Sequence, residues 1–361
     1  MRPLRVALIA ALGALAAAYV YLAGMGLGDS EPLAAGIVDL GACGPYNYAY
    51  NATGAMGLLY LANASFYSYG PSRSNSIGIQ LNVYIAGGGG AYWAQDVLIL
   101  SRINGTYYLA AADYLYNLSD LSSLSVKGHG GVVEEAHGGR VIRLYQFSAT
   151  AGPLDLPATL GARIFINGSA VYFSYMVDGA WRVYDVVQLP EGAYSISVGQ
   201  ELYGRRADLE WVVVGPQEGY AAYIERWSGW AQLFYYYGGW RQPPCAYSAA
   251  RAPSTAESTD AAHGLAEYLT PSGEVAQAAG PTELALLWRP SLEVEPAAGA
   301  IVITAYPPLG DWHIYVNGTP IEAPGFPVEV PAGPGVYYIR AELYAGSAEV
   351  YKADYLVTVP G

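Results

Sequence analysis

Lysine is nearly missing from this chain of 361 residues: Lys127 and Lys352 are the only two, and the remaining basic residues are arginines. Charged residues of both signs make up only 13%, and they sum to a net charge of −13. A nucleic-acid partner needs a basic footprint, so this balance argues against one. A surface poor in ion pairs also loses little when its carboxylates are protonated, which fits an acidic setting. Cysteine is limited to Cys43 and Cys245. Without a nearby histidine the two make a poor case for thiol or metal catalysis, whereas in an oxidising compartment they can close a disulfide. Sequence does not say whether their Cβ atoms approach, so the pairing stays open.

The usual hydrolase signatures are absent too. There is no Asp-Thr-Gly or Asp-Ser-Gly pair, no Gly-X-Ser-X-Gly elbow, no His-Glu-X-X-His and no phosphate loop. His129 and His137 flank a glycine-rich acidic loop, Gly128 to Gly139, that reads as solvated rather than metal-binding, and His263 and His313 stand alone. Nothing calls for a cofactor. Long apolar runs are limited to one, Val6 to Gly24, preceded by Arg2 and Arg5. That is the n-region and h-region of an export signal, or a single membrane anchor, over residues 1–28. Six Asn-X-Ser/Thr sequons, at Asn51, Asn63, Asn104, Asn117, Asn167 and Asn317, suit a glycosylated extracellular or cell-surface protein.

What the chain has in quantity is β-forming residues: 53% are hydrophobic, with 34 Tyr, and 44 Gly punctuate them. Short alternating runs from Leu58 to Tyr237 are separated by turn dipeptides such as Asn104-Gly105, Asn167-Gly168 and Asp178-Gly179. These predict an all-β fold, a β-sandwich over residues 34–288 followed by a small immunoglobulin-like β-sandwich domain over 289–361. Two segments fit less well. Ala111 to Leu124 reads as a short helix or loop, and Ala261 to Tyr268 as one short helix after a loop.

Within these strands stand acids and amides that β-structure does not need. Gln80 and Asn82 lie in Ile79 to Asn82, Gln95 and Asp96 in Tyr92 to Val97, Asp185 after Tyr184, Asp208 and Glu210 in Ala207 to Val212, and Glu257 in Ser254 to Glu257. Side chains alternate along a strand, so Asp208 and Glu210 share one face and Leu209 and Trp211 the other. Two carboxylates on one face are either solvated, the usual case in a sheet, or functional, and the scarcity of charge with the matching amides Gln80, Asn82 and Gln95 shifts the balance toward the second reading.

The collinear order of Gly36-Ile37-Val38-Asp39-Leu40-Gly41, Gln80-Leu81-Asn82, Tyr92-Trp93-Ala94-Gln95-Asp96-Val97, Tyr184-Asp185, the acidic strand ending Val214-Gly215-Pro216, Gln232 to Tyr236 and Thr255-Ala256-Glu257 resembles the thermopsin family over roughly residues 34–262. The resemblance implies a thermopsin-like β-sandwich and a secreted acid endopeptidase that takes polypeptide substrates at low pH and high temperature. This chain departs from the family pattern at Asp96, where the family usually has Asn, and at Ser254, where it commonly has Asp. Asp208-Leu209-Glu210-Trp211-Val212 is also similar to the strand that carries the glutamate of fungal glutamic proteases. That similarity suggests Glu210 as general base and acid with Gln95 as its amide partner. A pair of carboxylates drawn from Asp39, Asp96, Asp185, Asp208 and Glu257 is the competing arrangement, since adjacent carboxylates can share one proton. An inactive surface protein that stacks sugars on exposed Trp and Tyr is the alternative of a different class.

Overall fold

The computed structural model describes residues 34–360 apart from 45, 138–139, 218, 251–261 and 271–272. The leader or anchor expected over residues 1–28 lies outside the described residues, and so does Glu257. The fold is all-β, with no helix among the described residues. Cys43 and Cys245 are joined in a disulfide with Cα atoms 5.6 Å apart.

Two large sheets pack face to face. The first runs, strand by neighbouring strand, Gly131–His137, Arg140–Leu154, Thr106–Asn117, Gly90–Ile103, Ser76–Gly87, Leu209–Val214, Ala34–Asp39, Ala246–Ala250 and Leu286–Trp288. The second runs Ala180–Gln188, Ala170–Val177, Ala158–Asn167, Gly54–Tyr69, Ala221–Tyr236, Val275–Ala279 and Leu265–Leu269. One hydrophobic core, including Leu59, Leu61, Leu81, Val83, Leu98, Ile164, Phe173 and Leu233, fills the space between them. From Ser291 onward two smaller sheets, of three and four strands, close around a second core of Ile301, Ile303, Ile314, Ile339 and Leu343.

The register decides which polar residues meet. Val38, Glu210, Asn82, Gln95, Tyr114 and Gln146 are successive cross-strand partners in one row of the first sheet. The adjacent row is Ile37, Trp211, Leu81, Asp96, Asp113 and Phe147. Alternation turns the two rows to opposite faces. Trp211 shows which faces inward: its Nε1 donates to the Leu58 carbonyl of the opposite sheet at 3.1 Å, and a Cβ added at Gly57 would come within 2.1 Å of its indole. The Glu210 row therefore points away from the second sheet and the Asp96 row toward it.

Turn chemistry behaves as the sequence predicts. Asn104-Gly105 and Asp178-Gly179 both have positive φ at both residues, the type I′ geometry of a two-residue hairpin. Two expectations are corrected. Thr106–Asn117 is a strand through the segment read as helix or loop, because it lies between Gly90–Ile103 and Arg140–Leu154 and gains ladders on both sides, which outweighs the weak β preference of its alanines. Leu265–Leu269 is likewise a strand paired with Val275–Ala279, not a helix; a short apolar run carries too few positions to separate the two periods.

Candidate active site

Three neighbouring strands bring Glu210, Asn82 and Gln95 side by side on the outward face of the first sheet. Asn82 Nδ2 donates to Glu210 Oε2 at 2.9 Å, and Gln95 Nε2 donates to Asn82 Oδ1 at 3.1 Å and to Gln80 Oε1 at 2.8 Å. With strands spaced about 4.8 Å apart, Gln95 and Glu210 stand roughly 10 Å from each other with Asn82 between. Gln95 thus holds Asn82, and Asn82 holds Glu210. Asp208, two residues before Glu210, lies on the same face beside it, and both acids are essentially inaccessible.

Burial pushes the Glu210 carboxyl up to about 7, and the Asn82 and Asp208 hydrogen-bonding groups act against that rise. Asp208 is pushed well above the carboxylate range by burial first and by the charge of Glu210 second. The physical outcome is a carboxyl pair that shares one proton, as adjacent buried acids do, with Asn82 favouring the charge on Glu210. Among the described residues no group outside the pair donates to Asp208 Oδ1, Asp208 Oδ2 or Glu210 Oε1, so beyond the proton the two acids share these buried oxygens are left for a water and a peptide group. Part of what covers this face is the Glu201–Arg206 hairpin. Its Leu202 packs against the cluster of Tyr84, Trp93 and Tyr116, and the charge of Arg205 acts on both Tyr84 and Asp208.

A second group of acids sits on the inward face, between the sheets. Asp96 Oδ1 accepts from the Tyr184 hydroxyl at 2.9 Å, and its Oδ2 accepts the backbone N–H groups of Arg163 and Ser174, each at 3.3 Å. Asp185 Oδ2 accepts from Tyr145 at 2.5 Å, while its Oδ1 accepts the N–H groups of His129 at 3.1 Å and Val186 at 2.7 Å. The exposed His129 ring reaches the same Oδ1 through Nδ1 at 2.9 Å. A bulge between Phe173 and Ser174 lets the consecutive residues Tyr184 and Asp185 both point inward. Asp113 is raised well above its ordinary value by burial, then by the charges of Asp185 and Asp96, and Asp96 itself is pushed by burial up to about 8.

Of the residues the sequence nominated, Glu210, Gln95 and Asp208 share one site. Asp185 belongs to the other face, and Asp39, also inward by register, joins neither hydrogen-bonded group although its charge acts on Asp208: it is capped by Tyr48 and Tyr50 hydroxyls at 2.6 and 2.8 Å and by the Gly41 N–H at 2.8 Å. The sequence showed Asn82 as an amide but not as the link between Gln95 and Glu210. It missed Asp113 altogether, since the alanine run around that residue hid the strand.

A family model described as Thermopsin matches residues 20–262. No curated protein and no solved structure matches the chain.

Proposed function

The chain belongs to the thermopsin family, and from that premise we propose that it is an acid endopeptidase, exported or held at the cell surface, whose working groups are Asp208 and Glu210. What supports this assignment is the single row Glu210–Asn82–Gln95 with Asp208 beside it, where three carboxyl oxygens receive no hydrogen bond from outside the pair. Hydrolysis of a peptide in acid needs an activated water, a polarised carbonyl and a proton for the leaving amine. Glu210, whose negative charge the Asn82 amide supports, takes the proton of the attacking water. Asp208, the group that holds its proton, donates toward the substrate. Gln95 has its Nε2 engaged by Gln80 and Asn82, so its part is to position Asn82 and through it Glu210.

A polypeptide reaches this pair only if its cover moves, and the Glu201–Arg206 hairpin is the described element placed to do so. Opening admits water along with the peptide. Since burial is the main reason Glu210 is raised, hydration returns its pKa toward the ordinary carboxyl range and lets the pair work in acid. The inward acids serve less well as catalysts: Asp113 also has two oxygens without hydrogen-bond partners among the described residues, but it faces the charges of Asp185 and Asp96. The oxygens of Asp96 and Asp185 are taken up by tyrosines and backbone N–H groups, and two sheets enclose them.

The test is cleavage of a denatured polypeptide between about pH 2 and pH 7, spanning the range in which carboxyl groups titrate. Glu210→Gln, nearly isosteric, is expected to abolish cleavage while leaving the fold intact by circular dichroism. Undiminished cleavage by that variant sinks the assignment of Glu210.

A further inference from the structure

The outward face of the second sheet, on the side of the molecule opposite Asp208 and Glu210, holds a cavity of about 340 Å³ lined by Arg163, Phe165, Asn167, Tyr172, Tyr236 and Trp240, with Ser174 and Val183 completing it. The register explains why it is there. Tyr236, Gly54, Phe165 and Tyr172 are successive partners in one row, and Gly54 supplies no side chain between two aromatic rings. A Cβ at Gly54 would lie 2.7 Å from the Phe165 ring. The walls meet edge to face: Tyr236 is inclined to Phe165 by 69° at 5.6 Å and to Trp240 by 72° at 5.2 Å. The lining also offers polar atoms without hydrogen bonds, although the Arg163 guanidinium as a whole lies over the Trp181 ring at 4.5 Å. Ser174 is 1% exposed, and neither its hydroxyl nor the Arg163 Nε has a hydrogen-bond partner among the described residues. Buried polar atoms without partners are rare in folded proteins and point to a ligand that satisfies them.

The rim of this cavity carries a sequon. Asn167-Gly168-Ser169 forms the hairpin turn between Ala158–Asn167 and Ala170–Val177, with Gly168 at φ 63°. Asn167 is exposed, and its side chain shares a face with Phe165 two residues earlier. A group attached to Asn167 therefore emerges beside the Phe165 ring. Of the six sequons Asn167 is the one that lines this cavity; Asn117 uses its Nδ2 to hold the Ser123 carbonyl at 2.8 Å, Asn104 follows Arg102 rather than an aromatic at that offset, and Asn317, which does follow Tyr315, accepts the Tyr338 N–H with its Oδ1 at 2.8 Å.

We propose that Asn167 is an N-glycosylation site whose first pyranose ring packs into this cavity, its apolar face on the aromatic walls and its polar substituents on Ser174 and Arg163. The assignment requires export but not peptidase activity. The co-reactant is a lipid-diphosphate-linked oligosaccharide supplied by the secretory host. The Asn167 Nδ2 forms a bond to the anomeric carbon, the bond from that carbon to the diphosphate oxygen breaks with its electron pair leaving on the diphosphate, and the amide gives up one proton to a carboxylate base of the host's transferring enzyme. A sugar here leaves the opposite face, with Asp208 and Glu210, unobstructed. A pyranose stacked on aromatic rings gains the apolar contact such rings offer, and a glycan so held stiffens the hairpin it grows from.

The test uses the full chain secreted from a host that attaches N-glycans, with site occupancy read by peptide mass spectrometry. Asn167 is expected to be occupied. One portion of the folded protein is trimmed by an endoglycosidase to a single residual sugar, and another is stripped completely by an amidase. The one-sugar form is expected to keep the melting temperature of the intact protein, and the stripped form to lose roughly 2–4 °C, the shift a contact of this size makes in a domain this large. Trp240→Ala, on an edge strand, is expected to erase the difference between the two forms. A bare Asn167 in the folded secreted protein overturns the proposal, whether or not the cavity binds added free N-acetylglucosamine. Equal melting of the one-sugar and stripped forms overturns it as well.

Discussion

Asn82 is where the candidate site is most exposed to test at the scale of single residues. Its Nδ2 donates to Glu210 and so favours the ionised carboxylate against burial. Removing that donor in Asn82→Ala raises the Glu210 pKa further. If Glu210 is the base, the acid limb of the pH–rate profile moves to higher pH and kcat falls on the order of 100-fold, the usual cost of losing one preorganised donor. An unchanged limb in a folded variant would remove Asn82 from the site. The sequence made half of this visible. Asp208 and Glu210 fall on one face by alternation alone, and Gln95 stands out as an amide in an aromatic strand. The link through Asn82 depends on the registers of two strand pairs between segments far apart in the chain, which local pattern does not encode. Asp113 was hidden for a different reason: it sits in Ala110 to Tyr114, where the alanines carry no period to read.

Between sheets, the decisive elements are the strands Gly54–Tyr69 and Leu209–Val214, which meet through Gly57 and Trp211. The glycine is required by close approach, since a Cβ there would lie 2.1 Å from the indole. Gly57→Ala is expected to force the sheets apart locally and to cost about 1–3 kcal/mol, read as a lower urea midpoint with an unchanged slope. The bulge at Tyr184 and Asp185 is the second such element. It spends Asp185 on the Lys127–Gly130 segment, holding the His129 N–H directly and the Gly130 N–H through Tyr145, whose hydroxyl accepts it at 2.7 Å. Asp185→Asn should therefore speed hydrogen exchange at His129 and Gly130 and leave peptide cleavage in place. Loss of cleavage with normal exchange would transfer catalysis to the inward acids. Strand positions and two-residue turns were legible in advance. A bulge adds one residue to a run and leaves no mark in it, so the sequence could not tell that Tyr184 and Asp185 both face inward.

For the molecule as a whole, the buried acids set the dependence of stability on pH. Burial raises Asp39 to about 6, Glu210 to about 7, and Asp96 and Glu267 to about 8, and it lifts Asp113 and Asp208 as well. In the unfolded chain the same groups ionise near pH 4. The native state therefore holds protons that the unfolded state releases, and this contribution to stability falls as pH rises from about 4 toward 8, while the lowered carboxyls of Asp120, Glu342 and Asp354 act in the opposite sense below about pH 4. Each group contributes up to about 1.4 kcal/mol per pH unit inside its own window, so the steepest loss lies between about pH 4 and pH 6, where all of them act. The lysine-poor, weakly charged composition anticipated tolerance of acid, but only the folded structure reveals a preference for it. Calorimetric melts at pH 4 and pH 7 are expected to give the higher transition temperature at pH 4. Asp96→Asn sharpens the test, because it restores the residue implied by the family pattern at this position. Its amide oxygen can still accept the Arg163 and Ser174 N–H groups, and it has no proton to lose. The variant should match the native protein at pH 4 and melt higher at pH 7. A melting temperature that rises from pH 4 to pH 7, or an Asp96→Asn variant that tracks the native protein at both, would mean that these acids ionise within the fold.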